Sequence, residues 1–311
     1  MKTTVLLPIT ALVAIASVHA QGPLTPPPGA PAPVMKSLDQ IEARTPLVAG
    51  QPGVTVSPTG TITISQPGSY YLTGNLTLSA FGVNGISIGT TSAVTLDLNG
   101  YTIRHTGANS GFAAGIFISG TAAQTVVIRN GHIHGPGFER GVNFNNTLGG
   151  TLLVENLHLN GMVIGLLLQR DEGRTVVENC TVSDMSGMGI SADVVKNCTV
   201  RNAGGSNPGI SASLVSNCHV EQASGTAHAI SGRVVENSVG ISAGGIGIAA
   251  EIATQCYGGS STGTFGMNIS GTASFCRAYR SGGTALSAGI AIGCTSLNGA
   301  ISSTQKHLGT P

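Results

Sequence analysis

Three stretches decide the fold: Val177-Glu178-Asn179-Cys180-Thr181-Val182, Val195-Lys196-Asn197-Cys198-Thr199-Val200 and Val215-Ser216-Asn217-Cys218-His219-Val220. One phrase returns three times, so the chain is a repeat protein and the repeat dictates the architecture. Working outward, LDLNGYTI, VIRNGHI and VENLHL upstream and VENSV downstream place Asn99, Asn130, Asn156 and Asn237 at the same repeat position, with successive spacings of 31, 26, 23, 18, 20 and 20 along the seven asparagines. A second mark is Gly followed by an apolar residue, at Gly85-Ile86, Gly115-Ile116, Gly141-Val142, Gly165-Leu166, Gly189-Ile190 and Gly209-Ile210. Each repeat therefore carries at least two short strands.

Repeats of this length cannot hold a helical crossover beside two strands, so each strand must pair with its counterpart one coil later. Parallel connections are overwhelmingly right-handed. The expected fold is all-β: a single-stranded right-handed parallel β-helix of roughly ten coils with a short N-terminal capping helix. Asn suits its corner because it tolerates left-handed backbone angles, and its amide can hydrogen-bond to the same amide in the next coil.

Composition agrees. Of 311 residues, 41% are hydrophobic, 9% are charged and 46 are Gly, which leaves little material for helices with charged outer faces. A formal charge of +1 offers no broad field to attract nucleic acid, and aromatics at 4% give bases few stacking platforms. Nucleic acid is excluded as a partner on these grounds, and no stretch after the leader approaches a membrane span.

Residues 1–20 read as an export signal, with Lys2 before the apolar run Val5 to Val18 and Val18-His19-Ala20 before a cut. The expected location is secreted or periplasmic. Residues 21–35 contain PLTPPPGAPAP and form a Pro-rich linker. Residues 36–53 are a capping segment, in which Ser37 and Gln40 have capping-box spacing and Leu38 and Ile41 share a helical face. The β-helix domain occupies 54–311.

The asparagine register, with ISQPGSYYLTGNLT, VTLDLNGYTI and VVIRNGHIHG, resembles the pectate-lyase-like superfamily of right-handed parallel β-helices, and in particular the opening coils of exported bacterial β-helix repeat proteins. The resemblance spans nearly all of the chain after the leader and implies the fold. Function does not follow, because one fold hosts lyases, hydrolases, adhesins and maturation proteins. The acidic residues gathered on neighbouring coils beside an Arg-centred motif in calcium-dependent pectate lyases, and the Asn-Thr-Asp, Asp-Asp and Gly-His-Gly motifs of polygalacturonases, are missing; Gly131-His132-Ile133-His134-Gly135 is a loose echo.

Cys180, Cys198, Cys218, Cys256, Cys276 and Cys294 lie 18, 20, 38, 20 and 18 residues apart, with Ser238 filling the long gap. Side chains stacked in parallel coils stand about 4.8 Å apart, beyond the usual Cβ separation of a disulfide, so free buried thiols are expected. No metal-ligand spacing occurs among the Cys or His residues, and no metal or cofactor is expected.

Counting from each Asn, the positions one before, two after and four after should face solvent. They hold Arg129, Glu155, Glu178 and Lys196; then His132 and His158; then His134 and Arg201. As an enzyme, this stripe offers Glu155, Glu178 and His158 as catalytic groups, with Arg129, His132, His134, Lys196 and Arg201 binding an acidic sugar. As a solvated surface, the charges compensate between coils, Arg129 with Glu155 and Lys196 with Glu178. Two loops add charge, HGPGFERG with Glu139 and Arg140, and QRDEGR with Arg170, Asp171, Glu172 and Arg174.

Two function classes follow. The favoured one is a non-catalytic extracellular or cell-surface scaffold or weak glycan binder. The alternative is a polysaccharide lyase or glycoside hydrolase acting on an exposed face. A copper- or zinc-handling role for the histidines is a third possibility. Polysaccharide is the expected partner, and the open last coil predicts end-to-end self-association.

Overall fold

The structure is a computed structural model that describes residues 44–90, 92–109, 111–119, 124–145, 150–168, 174–222 and 225–307. The expected export signal, Pro-rich linker and capping helix lie outside these residues, as do Arg170, Asp171 and Glu172. Among the described residues there is no helix, hence none long and apolar enough to cross a membrane.

The chain is a parallel β-helix with three sheets. One sheet is traced by the inward column Ile62, Ile86, Ile116, Val142, Leu166, Ile190, Ile210, Ile230, Ile248, Met267, Leu286 and Ile301, each the partner of the next. That column has twelve members where roughly ten coils were expected, because the repeat continues at both ends where the Asn phrase is lost. A second sheet leads into the Asn corner, pairing Leu96, Ile128, Val154 and Val177 in turn. A third leaves the corner, pairing Ile103, Ile133, Leu159 and Val182. All of these aliphatic side chains but Ile301 are buried, and the stacked columns form one continuous core.

Asn99, Asn130, Asn156, Asn179, Asn197, Asn217 and Asn237 all have left-handed backbone angles, with φ between 46° and 59°. The corner forces two consecutive residues outward: in the strand Thr151–Asn160 Val154 and Leu157 are buried while Glu155 and Asn156 face out. The same conformation continues at Gln255, Phe275 and Gly293, each one residue before a ladder Cys. The expected amide chain is present in one pair, Asn156 Nδ2 donating to Asn130 Oδ1 at 3.3 Å. The Asn99 and Asn130 amides bond instead to Leu72 O and to Asp97, and what all seven share is the backbone angle.

The Gly marks have a steric cause. A Cβ on Gly141, Gly165 or Gly189 would stand 2.5 Å from the carbonyl oxygen of the matching residue one coil later or, at Gly141, even closer to Leu159. Coils approach so closely at this corner that a methyl group does not fit.

All six cysteines are buried, and none forms a disulfide. Each thiol donates to the carbonyl two residues earlier, as Cys198 does to Lys196 at 3.1 Å, and each also lies over a carbonyl of the preceding coil. Ser238 takes the same place, its hydroxyl donating to Glu236 O at 2.6 Å. Hydrogen bonding between neighbouring thiols, followed by burial, pushes Cys198 up to about 12 and Cys276 up to about 11. Cys218 and Cys294 are also raised, whereas Cys180 and Cys256, at the heads of the two runs, are lowered by the bonds from Cys198 and Cys276.

Candidate functional site

An open groove of about 490 Å³ runs across the outer face of the third sheet. Two rows of side chains form its floor. Thr102, His132, His158 and Thr181 are successive cross-strand partners, and beside them run Thr77, Arg104, His134, Asn160 and Ser183. Strand periodicity makes both rows point outward from the buried column Ile103, Ile133, Leu159 and Val182. The His132 and His158 rings stack with centroids 5.0 Å apart and planes inclined by 20°. Asn75, at the rim, accepts the backbone N–H of Thr102 at 2.9 Å on its Oδ1.

The expected single stripe is thus divided. His132, His134 and His158 come together in the groove, while Arg129, Glu155, Glu178 and Lys196 sit on the sheet before the Asn corner and do not line it. The left-handed residue between positions 155 and 158 turns the strand, so residues close in sequence look outward from different sheets. Glu155 and Glu178 remain cross-strand neighbours, but Glu178 is engaged by Lys196 Nζ at 3.4 Å. Arg201 continues the row beyond Ser183 without lining the groove, and its next neighbour is Glu221.

Arg129 does not compensate Glu155 as expected. Its Nε binds Asp97 Oδ2 at 3.1 Å, where the Arg44 guanidinium also reaches the carboxylate at 3.3 Å. Asp97 also accepts the backbone N–H of Asn99 at 2.9 Å and the Asn130 amide at 3.3 Å, and Arg44 lies 4.9 Å above the Tyr71 ring. This nearly buried carboxylate ties the chain's entry to the second and third coils.

Arg104 and Asp97 were missed because their coil has two extra residues about its corner. Leu98 stands between Asp97 and Asn99, and Gly100 follows with φ of 79°, so a fixed offset from Asn99 lands one residue short on either side. The Asn99-Gly100 pair was the available signal, since two successive left-handed residues lengthen a corner.

At the groove's edge Asp184, itself left-handed with φ of 56°, accepts the amides of Asn160 at 2.6 Å and Asn202 at 2.8 Å. Those bonds, Asn202 first and then Asn160, hold its carboxyl below the usual range. Two exposed aromatics were also missed, Phe81 and Phe112. They lie on loops of neighbouring coils that follow Thr77 and Arg104. Among the described residues no group of three or more His, Cys, Asp or Glu converges as a metal site would.

No family model matches the chain, and no curated protein matches it in sequence. Among solved structures, the enzymatically active domain of tailspike protein 2 from bacteriophage CBA120 is similar at 18% identity and a TM-score of 0.39. The match covers 85% of this chain and 42% of that one, so the chain spans less than half of the neighbour's length. The class assignment, a parallel β-helix, rests on the strand registers described above. At this similarity the tailspike carries no argument about activity.

Proposed function

We propose that this protein is an exported, secreted or periplasmic, non-catalytic β-helix of the pectate-lyase-like superfamily that binds a polysaccharide along the groove of its third sheet. One observation carries the reading: the groove combines Arg104 and three imidazoles with neutral hydroxyls and amides, and among the described residues no carboxylate lines its floor, Asp184 standing at the edge. Glycoside hydrolysis ordinarily needs two carboxyl groups flanking the bond, and the two stacked glutamates belong to another sheet. What the groove supplies is recognition, with hydrogen bonds from Asn160, Thr181 and Ser183 to sugar hydroxyls and a charge-assisted bond from Arg104 to a uronate or sulfate. A β-elimination lyase is the second reading, because Arg104 and His158 in one groove are the types that neutralise a uronate and remove a proton.

The test is affinity electrophoresis of the purified protein in polyuronate, sulfated and neutral polysaccharides. Retardation by the anionic polymers should fall at least tenfold in Arg104→Gln and in the double variant His132→Gln, His158→Gln, with unchanged circular dichroism. Loss of retardation in Glu155→Gln alone would move the site back before the corner. Unsaturated products would establish the lyase reading in place of the binder.

A further inference from the structure

Three loops leave the third sheet beside the groove, and each begins within two residues of a side chain that lines it: 79–85 after Thr77, 106–109 with 111–113 after Arg104, and 135–139 after His134. The first two are fastened together at both ends. The Thr106 N–H donates to Leu78 O at 2.9 Å, His105 Nε2 donates to Ala80 O at 3.0 Å, and the Ala114 N–H reaches Asn84 Oδ1 at 2.8 Å. The buried His105 ring also accepts the Gly107 N–H on Nδ1 at 3.1 Å and meets the buried Phe138 ring edge to face at 5.0 Å. The third loop lies flat on this imidazole, where a Cβ on Gly137 would overlap the ring. Glu139 ties it to the second loop, its backbone N–H donating to Ala113 O at 2.8 Å and its Oε2 accepting the Asn109 amide at 2.9 Å.

The loops treat their aromatic residues differently. Phe138 is turned inside, but Phe81 is 71% exposed and Phe112 79%, the most exposed large hydrophobic residues among those described. So little burial leaves each ring a small part in the stability of the fold. Four residues separate Phe81 from Thr77, at most about 14 Å of chain, and Phe112 adjoins the Ala113 that holds the loop after His134. A polymer crossing the groove floor at Thr77 and Arg104 therefore meets this aromatic shelf next.

We propose that Phe81 and Phe112 are the second half of the glycan site and that they select a heteropolysaccharide, in which anionic sugars alternate with uncharged ones. This rests on the groove reading above and adds the class of ligand to it. The face of an aromatic ring is negative, so it attracts the C–H face of a pyranose and repels a carboxylate or sulfate laid over it. Arg104 imposes the opposite preference on the groove floor. A chain that satisfies both places its anion over Arg104 and presents an uncharged sugar to the rings, whereas a homopolymer of uronates satisfies only the first. Loops already fastened by His105 and Glu139 lose little freedom when the ligand arrives, so the stacking energy goes into binding.

The test is affinity electrophoresis of the full chain in hyaluronan, whose uronate alternates with an uncharged N-acetylhexosamine, and in polygalacturonate, in which every sugar is anionic. Hyaluronan should retard the wild type about fivefold more strongly. Phe81→Ala with Phe112→Ala should bring retardation by hyaluronan down to the level of polygalacturonate with unchanged circular dichroism, whereas Arg104→Gln should weaken retardation by both. The chain has no Trp, so Phe112→Trp introduces a single reporter whose emission should change when hyaluronan is added. A hyaluronan advantage that survives the double alanine variant, or constant emission from a Phe112→Trp protein that hyaluronan retards, would overturn the role of the rings and leave the groove reading standing. Wild-type retardation by hyaluronan no stronger than by polygalacturonate would do the same. No retardation by any anionic polysaccharide would overturn the groove reading and this inference with it.

Discussion

The coils before Asn160 and those after Ile248 follow the same three-sheet path with different materials. In the early coils Ile88, Leu96, Ile103, Ile118, Ile128 and Ile133 are fully buried, corners are made by Asn, and successive corners at Asn99 and Asn130 stand 31 residues apart. In the late coils Ala253, Ala273, Ala278 and Ala291 fill the interior, corners fall on Gln255, Phe275 and Gly293, and their spacing shrinks to 20 and 18. A wide coil needs large aliphatics on all its sheets to close its interior at native density, whereas a narrow one closes with small side chains on two sheets and large ones such as Met267 and Leu286 on the third. The residues that lengthen the early coils become loops and extra corner positions, and the groove lies there. The late coils instead have the long strands Arg277–Ile292 and Thr295–His307.

The largest effect should come where adjacent coils leave no room for a Cβ. Gly165→Ala places a methyl group 2.5 Å from the Gly189 oxygen, so denaturant unfolding should show a loss of about 3 kcal/mol or more, as overpacking against backbone predicts. Ala229 and Ala285 occupy the same column later in the chain, and Ala229→Gly should change stability by no more than about 1 kcal/mol. Equal effects at both places would mean that the close approach at Gly165 is not what excludes a side chain there. In the core, Ile128→Ala should cost about 3 kcal/mol through lost burial and the cavity left behind, while Ala253→Gly should cost about 1 kcal/mol. Asp97→Ala removes the partner of two guanidiniums and should cost about 3 kcal/mol, its effect confined to the early coils in hydrogen exchange.

Sequence revealed the fold because the Asn and Gly marks answer to local physics: a left-handed corner and a contact too close for Cβ can each be inferred from residue type. It revealed the buried thiols without disulfides for the same reason, a fixed place in a stack. The groove was half legible. His132, His134 and His158 emerge from counting along the repeat, but the count passes through the Asn corner as if the strand were straight and so joins Glu155 to His158. Arg104 was hidden by the extra Gly100, and Asp97 by Leu98, because one inserted residue shifts every later offset. Gln255 and Phe275 were hidden because propensity does not favour them in a left-handed corner; the Cys one residue later was the better marker.

That last point gives a smaller test. Phe275 holds φ of 53° with its side chain 65% exposed, so it incurs the steric cost of the corner with little burial in return. Phe275→Asn should stabilise the late coils by about 1 kcal/mol, and Asn179→Phe should destabilise the middle by a similar amount. A destabilised Phe275→Asn variant would show that the exposed ring has a packing role.

The smallest effect concerns Asp184, between the two regions. Its folded carboxyl is lowered by amides from Asn202 and Asn160, so the folded state prefers the ionised form more than the unfolded chain does. A depressed carboxylate contributes stability that is fully present above the unfolded value of about 3.9 and is lost as pH falls through the folded one. Asp184→Asn should therefore lower the midpoint of thermal unfolding at pH 7, and the gap to wild type should close in acid below about pH 4. The side chain is exposed, so the difference at pH 7 should be only a few tenths of a kcal/mol. A gap that persists unchanged in acid would mean that Asp184 acts through its corner geometry, which Asn can share, and not through charge.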